Sequence, residues 1–320
     1  MLKYLVIQLD DSSTSFCHYS NDRTKKNLIP LETLKKAIFW SMKENLTLQV
    51  LYPDYEIPSE YKEAISKTYH ADIANSLCED VELRDNADVV VFDSLSSINY
   101  FQFKSETSYI IRTELENLIE QGMLVDPILP KVDRFNIVIT NPLSLTEDNQ
   151  ESYAQFLDRL SQKVAEEYKK QHNLQVNLLT DRMMLGCMNN CNAGEEVITL
   201  CPDGKFYICP AFYADGEAGY SVGNVDSGLD IKNPQLYRLD HAPICRKCDA
   251  WHCKRCVWLN RKTTLEVNTP SHEQCVMAHI ERNASRELLS YIRTFGNYLP
   301  GKDIPELDYF DPFELIIKDN

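Results

Sequence analysis

A chain of 320 residues is roughly twice the usual length of one domain, so one large domain or two moderate ones are expected. Hydrophobic residues make up 43% and charged residues 25%, which excludes a wholly disordered or fibrous chain. A formal charge of −15 excludes a general nucleic-acid binder, because phosphate affinity rests on Lys and Arg displacing condensed counterions.

Taken in order, the first 180 or so residues alternate short apolar runs with helical patterns. Leu5 to Leu9 reads as a strand rather than a signal peptide, since the run is short, ends in Asp10 and Asp11, and lacks a small-residue cleavage site. Pro30 to Asn45 predicts an amphipathic helix with Leu31, Leu34, Ile38 and Met42 on one face, followed by a strand over Leu48 to Tyr52. Pro53 and Pro58 mark a turn, Ser59 opens a short helix to Lys67, Ala71 to Ala74 is a weak strand, and Ala87 to Phe92 is a buried one. The pattern is helical around Ile110 to Glu120, β-branched over Phe135 to Thr140, helical from Asn149 to Lys170, and again strand-like at Val176 to Leu179.

Strand–helix repetition of this kind predicts a mainly parallel sheet or an open α/β barrel, whose sites lie beyond the strand C-termini. After Arg182 short strands, turns and cysteines take over. Glu195 to Leu200, the turn Pro202-Asp203-Gly204 and Lys205 to Ile208 form a hairpin. A helix is expected over Val276 to Phe295, then a Pro-punctuated acidic tail from Asn297 to Asn320. The expected domains are therefore 1–182, an α/β barrel; 183–282, a small Cys-rich domain; and 283–320, the helix end and tail. No run approaches 18 apolar residues, so no membrane span and a cytoplasmic setting are expected.

Nine of the eleven cysteines fall within 89 residues: Cys187, Cys191, Cys201, Cys209, Cys245, Cys248, Cys253, Cys256 and Cys275. In a reducing compartment such crowding points to metal ligation rather than disulfides. Cys245-Arg-Lys-Cys248 and Cys253-Lys-Arg-Cys256 have the two-residue spacing that aims both thiolates of a tight turn at one metal ion or cluster. Tetrathiolate sites serve zinc and iron–sulfur clusters alike, so both are open on spacing alone. A basic island accompanies the cysteines. Arg246, Lys247, Lys254, Arg255, Arg261 and Lys262 face a single acid, Asp249. Arg246, Lys247, Lys254 and Arg255 are candidates for gripping an acidic peptide or tuning a cluster's potential, against the plainer role of a solvated face. Trp251 and Trp258 read as shielding core, and His241, His252 and His272 as surface or hydrogen-bonding residues rather than ligands.

Cys191, twelve residues, Gly204, four residues and Cys209 resemble the opening half of the SPASM motif, which marks auxiliary iron–sulfur domains of radical S-adenosylmethionine enzymes that modify peptides. The second half of that motif, C-x2-C-x5-C-x3-C and a last C, is approached by Cys245, Cys248, Cys253, Cys256 and Cys275 with spacers of two, four and two, the inner two each one residue short. The resemblance implies two [4Fe-4S] clusters, one held by Cys187, Cys191, Cys209 and Cys256 and the other by Cys245, Cys248, Cys253 and Cys275. Cys201 has no counterpart in the motif and is left as a structural residue, a spare ligand or a reactive thiol.

The resemblance also implies a radical S-adenosylmethionine-like barrel in front, where a C-x3-C-x2-C loop should follow the first strand. Aligned on Phe16-Cys17, that loop has Asp10 and Thr14 in place of its other two cysteines. The Gly-Gly-Glu-Pro strand end of such enzymes is replaced by Leu51-Tyr52-Pro53-Asp54-Tyr55, where tyrosine denies the close backbone approach of glycine. No S-adenosylmethionine binding is therefore expected. Cys17 and His18 are a weak nucleophile signal, so the catalytic residues are unknown.

Leu5-Val-Ile-Gln-Leu-Asp-Asp-Ser-Ser-Thr-Ser-Phe-Cys-His-Tyr19, Tyr52-Pro-Asp-Tyr55 and the Cys-rich C-terminus resemble the CXXX repeat peptide maturase family. That resemblance implies a cytoplasmic bacterial accessory protein in the maturation of a ribosomally synthesised Cys-repeat peptide, acting with a partner radical S-adenosylmethionine enzyme. Two other readings stand beside it. One is a zinc-stabilised peptide- or protein-binding module without a redox role; the other is an independent peptide-modifying enzyme.

Overall fold

The computed structural model describes all residues except 1, 22, 24, 100, 189, 190, 218, 297, 300–303 and 305–320, so the expected acidic tail lies almost wholly outside the described residues. The chain divides into two compact units, Met1–Phe92 with Asn192–Arg238, and Asp93–Cys191 with Leu239–Asn320. The first opens with β1 (Tyr4–Gln8), α1 (Leu31–Lys43), β2 (Thr47–Leu51), α2 (Ser59–Ile65), β3 (His70–Asn75), α3 (Val81–Asn86) and β4 (Val89–Phe92). The second begins with β5 (Ser108–Thr113), α4 (Leu115–Gln121), β6 (Arg134–Ile139), α5 (Glu147–Lys169), β7 (Gln175–Val176) and α6 (Asn177–Met184). The chain then returns to the first unit as β8 (Val197–Leu200), β9 (Lys205–Tyr207), α7 (Pro210–Ala214), β10 (Ser221–Asn224) and β11 (Gly228–Leu229). It closes in the second with α8 (Val257–Thr264) and α9 (His272–Arg293).

In the first unit the strands run in the order β11-β10-β9-β8-β1-β2-β3-β4. β1 lies parallel to both β2 and β8, with Leu5 opposite Leu48 on one side and Ile198 on the other. That central place explains its unbroken apolar run, since Leu5, Val6 and Ile7 are buried on both faces of the sheet. The hairpin β8–β9 is thus part of the sheet, which it extends with the antiparallel pairs β8–β9, β9–β10 and β10–β11. Gly204 takes φ 77° at the turn, a conformation glycine adopts without steric cost. α1 buries Leu34, Ala37, Ile38 and Ser41. Of the face expected from periodicity Leu34 and Ile38 are buried, Leu31 is half-buried and Met42 is exposed, because the stripe that meets the sheet is turned toward Ala37 and Ser41.

In the second unit β5, β6 and β7 are parallel. The helical pattern read around Ile110 to Glu120 is corrected here, because Ser108–Thr113 is β5 and the helix starts only at Leu115. Burial of Tyr109, Ile111, Arg112 and Thr113 beside β6 overrides a spacing that suits either structure. The strand expected over Val176 to Leu179 is likewise cut to Gln175–Val176. Asn177 then turns its side chain onto β6, accepting from the Ile137 N–H at 2.8 Å and donating to its C=O at 2.9 Å. The amide replaces a further ladder pair, and the backbone is released into α6. α9 packs against α5 and α6 and completes this unit's core.

Candidate metal centre

The segment 239–256 of the second unit carries four of the cysteines and almost no regular structure, only 3-10 turns at Leu239–His241 and Cys245–Lys247. Its shape comes from local hydrogen bonds. The Cys248 N–H donates to the Cys245 carbonyl at 3.0 Å, the Cys253 N–H to the Ala250 carbonyl at 3.0 Å, and the Ala250 N–H to Cys248 Sγ at 3.4 Å. Cys245 sits in an apolar cluster with Met188 and Ala242, against which Leu239, Ile244, Cys248, Trp251 and Cys253 pack.

The three thiols Cys245, Cys248 and Cys253 feel one another. Burial first, and Cys248 second, push the Cys245 thiol up to about 12, with Arg255 acting in the opposite direction. Burial and then Cys245 raise Cys253, against the Arg255 N–H that favours its thiolate. Burial of this kind favours the protonated thiol at Cys245 and Cys253 until a cation takes the proton's place. Arg255 is only 6% exposed and adopts a left-handed backbone, φ 44°. Its place is beside the thiols, whereas Arg246 and Lys247 are exposed and Lys254 is half-buried.

Helix α9 meets this loop with His279 and Arg282, three residues apart, and buried Cys275 lies one turn before His279 on the same stripe. His279 Nε2 lies 3.6 Å from Cys248 Sγ. Arg282 Nη1 donates to Asp249 Oδ1 at 3.0 Å, one residue further along the loop. From α6, Arg182 donates through Nε to the Asp249 carbonyl at 3.0 Å and through Nη2 to Asp249 Oδ2 at 3.2 Å. Arg182 is wholly buried and Asp249 is 2% exposed, so two guanidinium groups clamp one carboxylate inside the protein. Beside the clamp, Tyr153 of α5 donates to Glu281 Oε1 at 2.6 Å, and Glu281 Oε2 lies 3.0 Å from His252 Nε2.

Sequence reasoning missed Arg182, His279, Glu281 and Arg282. The available signal was Asp249, the lone acid of the basic island and adjacent to a cysteine, because a buried carboxylate requires cationic partners. Of the other expected ligands, Cys256 caps the N-terminus of α8 half-buried, Cys187 is exposed and Cys191 half-buried, all in the second unit. Cys209 caps α7 in the first unit and is half-buried. Cys201 is fully buried there, its Sγ 3.9 Å from Gln8 Oε1, and burial pushes its thiol well up. Among the described residues no three His, Cys, Asp or Glu side chains are arranged to hold a metal ion. The loop's donor set, three neighbouring thiols with N–H groups aimed at two of the sulfurs, fits a cluster, whose cysteines bind separate irons.

The loop after β1 is built otherwise. Asp10 is fully buried, and its Oδ1 accepts from the Ser12 N–H at 2.9 Å and hydroxyl at 2.6 Å, its Oδ2 from the Asn27 N–H at 2.7 Å and Tyr55 Oη at 2.9 Å. Thr14 donates its N–H to the Tyr52 carbonyl at 3.1 Å, and its hydroxyl accepts from Asn75 at 3.3 Å. Asp11 is bonded by the Tyr213 hydroxyl and by Asn27 Nδ2, while Arg23 lies 4.1 Å over the Tyr213 ring. Only Cys17 offers a thiol among the three positions of the expected cluster loop, and the carboxylate at Asp10 is committed to four protein donors. These residues do not fit a three-thiolate cluster.

No family model matches the chain, and no curated protein matches it. Among solved structures, native anSMEcpe with bound AdoMet and Cp18Cys peptide superposes with a TM-score of 0.60 at 13% identity, over 92% of this chain and 100% of that one. Native anSMEcpe with bound AdoMet and Kp18Cys peptide gives 0.62 at 13% over 91% and 100%. A histidine-tagged form of anSMEcpe with bound AdoMet gives 0.60 at 14% over 92% and 100%. The likeness is one of fold, a mixed α/β arrangement of parallel strands and helices.

Proposed function

We propose that this protein is a maturation factor for a ribosomally synthesised peptide, carrying iron–sulfur clusters but leaving radical chemistry to a separate enzyme. The observation that carries this reading is the contrast between two loops of one chain. The 245–253 loop gathers three thiols with N–H donors to sulfur, whereas the loop after β1 spends its polar groups on one another. Support for a peptide substrate comes from the fold, shared with anSMEcpe, which binds the Cp18Cys and Kp18Cys peptides.

On this reading Cys245, Cys248, Cys253 and Cys275 hold one cluster, which supplies electron transfer or an anchoring iron when bound. Cys187, Cys191, Cys209 and Cys256 hold a second. The protein's own contribution is to fix the loop through Asp249, to shield the thiols with Trp251 and Met188, and to present Arg246, Lys247 and Lys254 to an acidic segment of the precursor. The precursor is a Cys-repeat peptide, the partner is a radical S-adenosylmethionine enzyme, and the setting is the bacterial cytoplasm.

The test is anaerobic purification of the full chain with iron, sulfide and zinc analysis, followed by incubation with precursor with and without the partner enzyme. Iron and sulfide near eight per chain, precursor binding by the protein alone and a mass change only with the partner are expected. Stoichiometric zinc without iron would overturn the cluster assignment, and a mass change without the partner would overturn the accessory role.

A further inference from the structure

We infer that His279 tunes the cluster of the 245–253 loop by donating a hydrogen bond from its Nε2–H to the Cys248 thiolate; this rests on the iron–sulfur reading above. Three observations converge on it. First, Nε2 stands 3.6 Å from Cys248 Sγ, within the range of an N–H···S contact. Second, the same sulfur already accepts the Ala250 N–H at 3.4 Å, so its surroundings supply donors to negative charge.

Third, the contact is in register. Along α9, Arg282 holds Asp249 and His279 meets Cys248, so consecutive loop residues meet helix positions one turn apart, and the stripe continues to buried Cys275. The imidazole is therefore aimed by the Arg282–Asp249 bond and by the helix itself. In the ligand set proposed above, three cysteines of the loop and Cys275 supply a cluster's four thiolates, which leaves the imidazole nitrogen to act on sulfur rather than on iron.

A hydrogen bond to a ligating thiolate withdraws charge from the cluster and favours the reduced state, so its loss lowers the reduction potential. His279 is a positioning and tuning residue, and the discriminating readout is a potential. The experiment reconstitutes full-length wild type, His279→Ala and His279→Gln anaerobically, measures iron and sulfide, and titrates each cluster by EPR and visible absorption.

His279→Ala is expected to keep its iron and to shift one cluster toward the oxidised state by about tenfold in the equilibrium, which is about 59 mV for one electron. His279→Gln, which retains an N–H at similar reach, should recover at least half of that shift, and the second cluster should not move. Unchanged potentials in His279→Ala with iron intact overturn this inference alone. Loss of one cluster's iron from His279→Ala, with strong nitrogen coupling to that cluster in the wild type, makes His279 a ligand and also overturns it. A wild type that binds no iron overturns the cluster reading, and this inference with it.

Discussion

Asp249 follows Cys248 directly, and its carboxylate is the partner that Arg182 and Arg282 share. Removing one member of a buried ion pair strands the others without solvent, typically at a cost of about 3–5 kcal/mol. Asp249→Ala should lower unfolding free energy in denaturant by about that amount, and Asp249→Asn by less, because the amide oxygen still accepts from one guanidinium. A drop below about 1 kcal/mol in the alanine variant would mean that water reaches the arginines. A second residue links stability to pH. The hydrogen bond to Asp72, opposed by burial, raises the pKa of His70, whose Nε2 lies 3.4 Å from Asp72 Oδ1. A folded pKa above the unfolded value of about 6.5 stabilises fully below pH 6.5 and ceases to do so as pH rises through the folded value. His70→Gln should therefore cost stability at pH 5 and nothing through this pair at pH 9, as read from denaturation midpoints at each pH.

At the scale of elements, the turn between β8 and β9 separates conformational from spatial demands on glycine. A Cβ on Gly204 meets only Thr33 Cγ2, at an ordinary 3.5 Å, so the demand there is the φ of 77°. On Gly223, at φ 118° in β10, a Cβ would collide with the Gly228 carbonyl of the adjacent strand. Gly204→Ala should cost about 1–2 kcal/mol, the usual penalty of a left-handed residue, and Gly223→Ala more, with β10–β11 displaced. Comparing the two by thermal unfolding and amide exchange of 221–229 checks the order. Asn177 is the equivalent feature in the second unit. Strand β7 and helix α6 could not be separated by reading Val176-Asn177-Leu178-Leu179, because so short and mostly apolar a segment is compatible with both; the Asn177 amide on Ile137 makes the division. That division has a consequence for the centre, because Arg182 belongs to α6 and reaches Asp249 from there.

For the molecule as a whole, the iron–sulfur reading proposed above requires the two kinds of loop to respond differently to metal. On that reading, stripping iron by chelation under oxidising conditions should expose 239–270 to proteolysis, since among the described residues the turns at Cys245 and Cys248 have few backbone hydrogen bonds beyond their own segment. The strands β1 to β4, buried among apolar side chains, should stay resistant under the same treatment. Equal protection with and without iron, followed by mass spectrometry of the fragments, would show that the loop is held by the Arg182–Asp249–Arg282 clamp alone. None of the helices among the described residues is long and apolar enough to cross a membrane.

Much of the fold was legible in the residues themselves. β1, α1, β2, β4, β6, α5 and the β8–β9 hairpin all follow from periodicity and turn chemistry, because each buries a face or a strand that its own pattern marks. The crowding of cysteines was legible for the same reason, as thiols at two-residue spacing carry their geometry in the sequence. That Ile110 to Thr113 is a strand was settled only in space, because pairing with β6 outweighs local spacing. The same holds for Arg182 at Asp249 and His279 at Cys248, since contacts between residues 67 and 31 positions apart leave no local periodicity to read. Residue identity says which side chains can ligate or carry charge. Packing of α6 and α9 against the loop decides which of them meet.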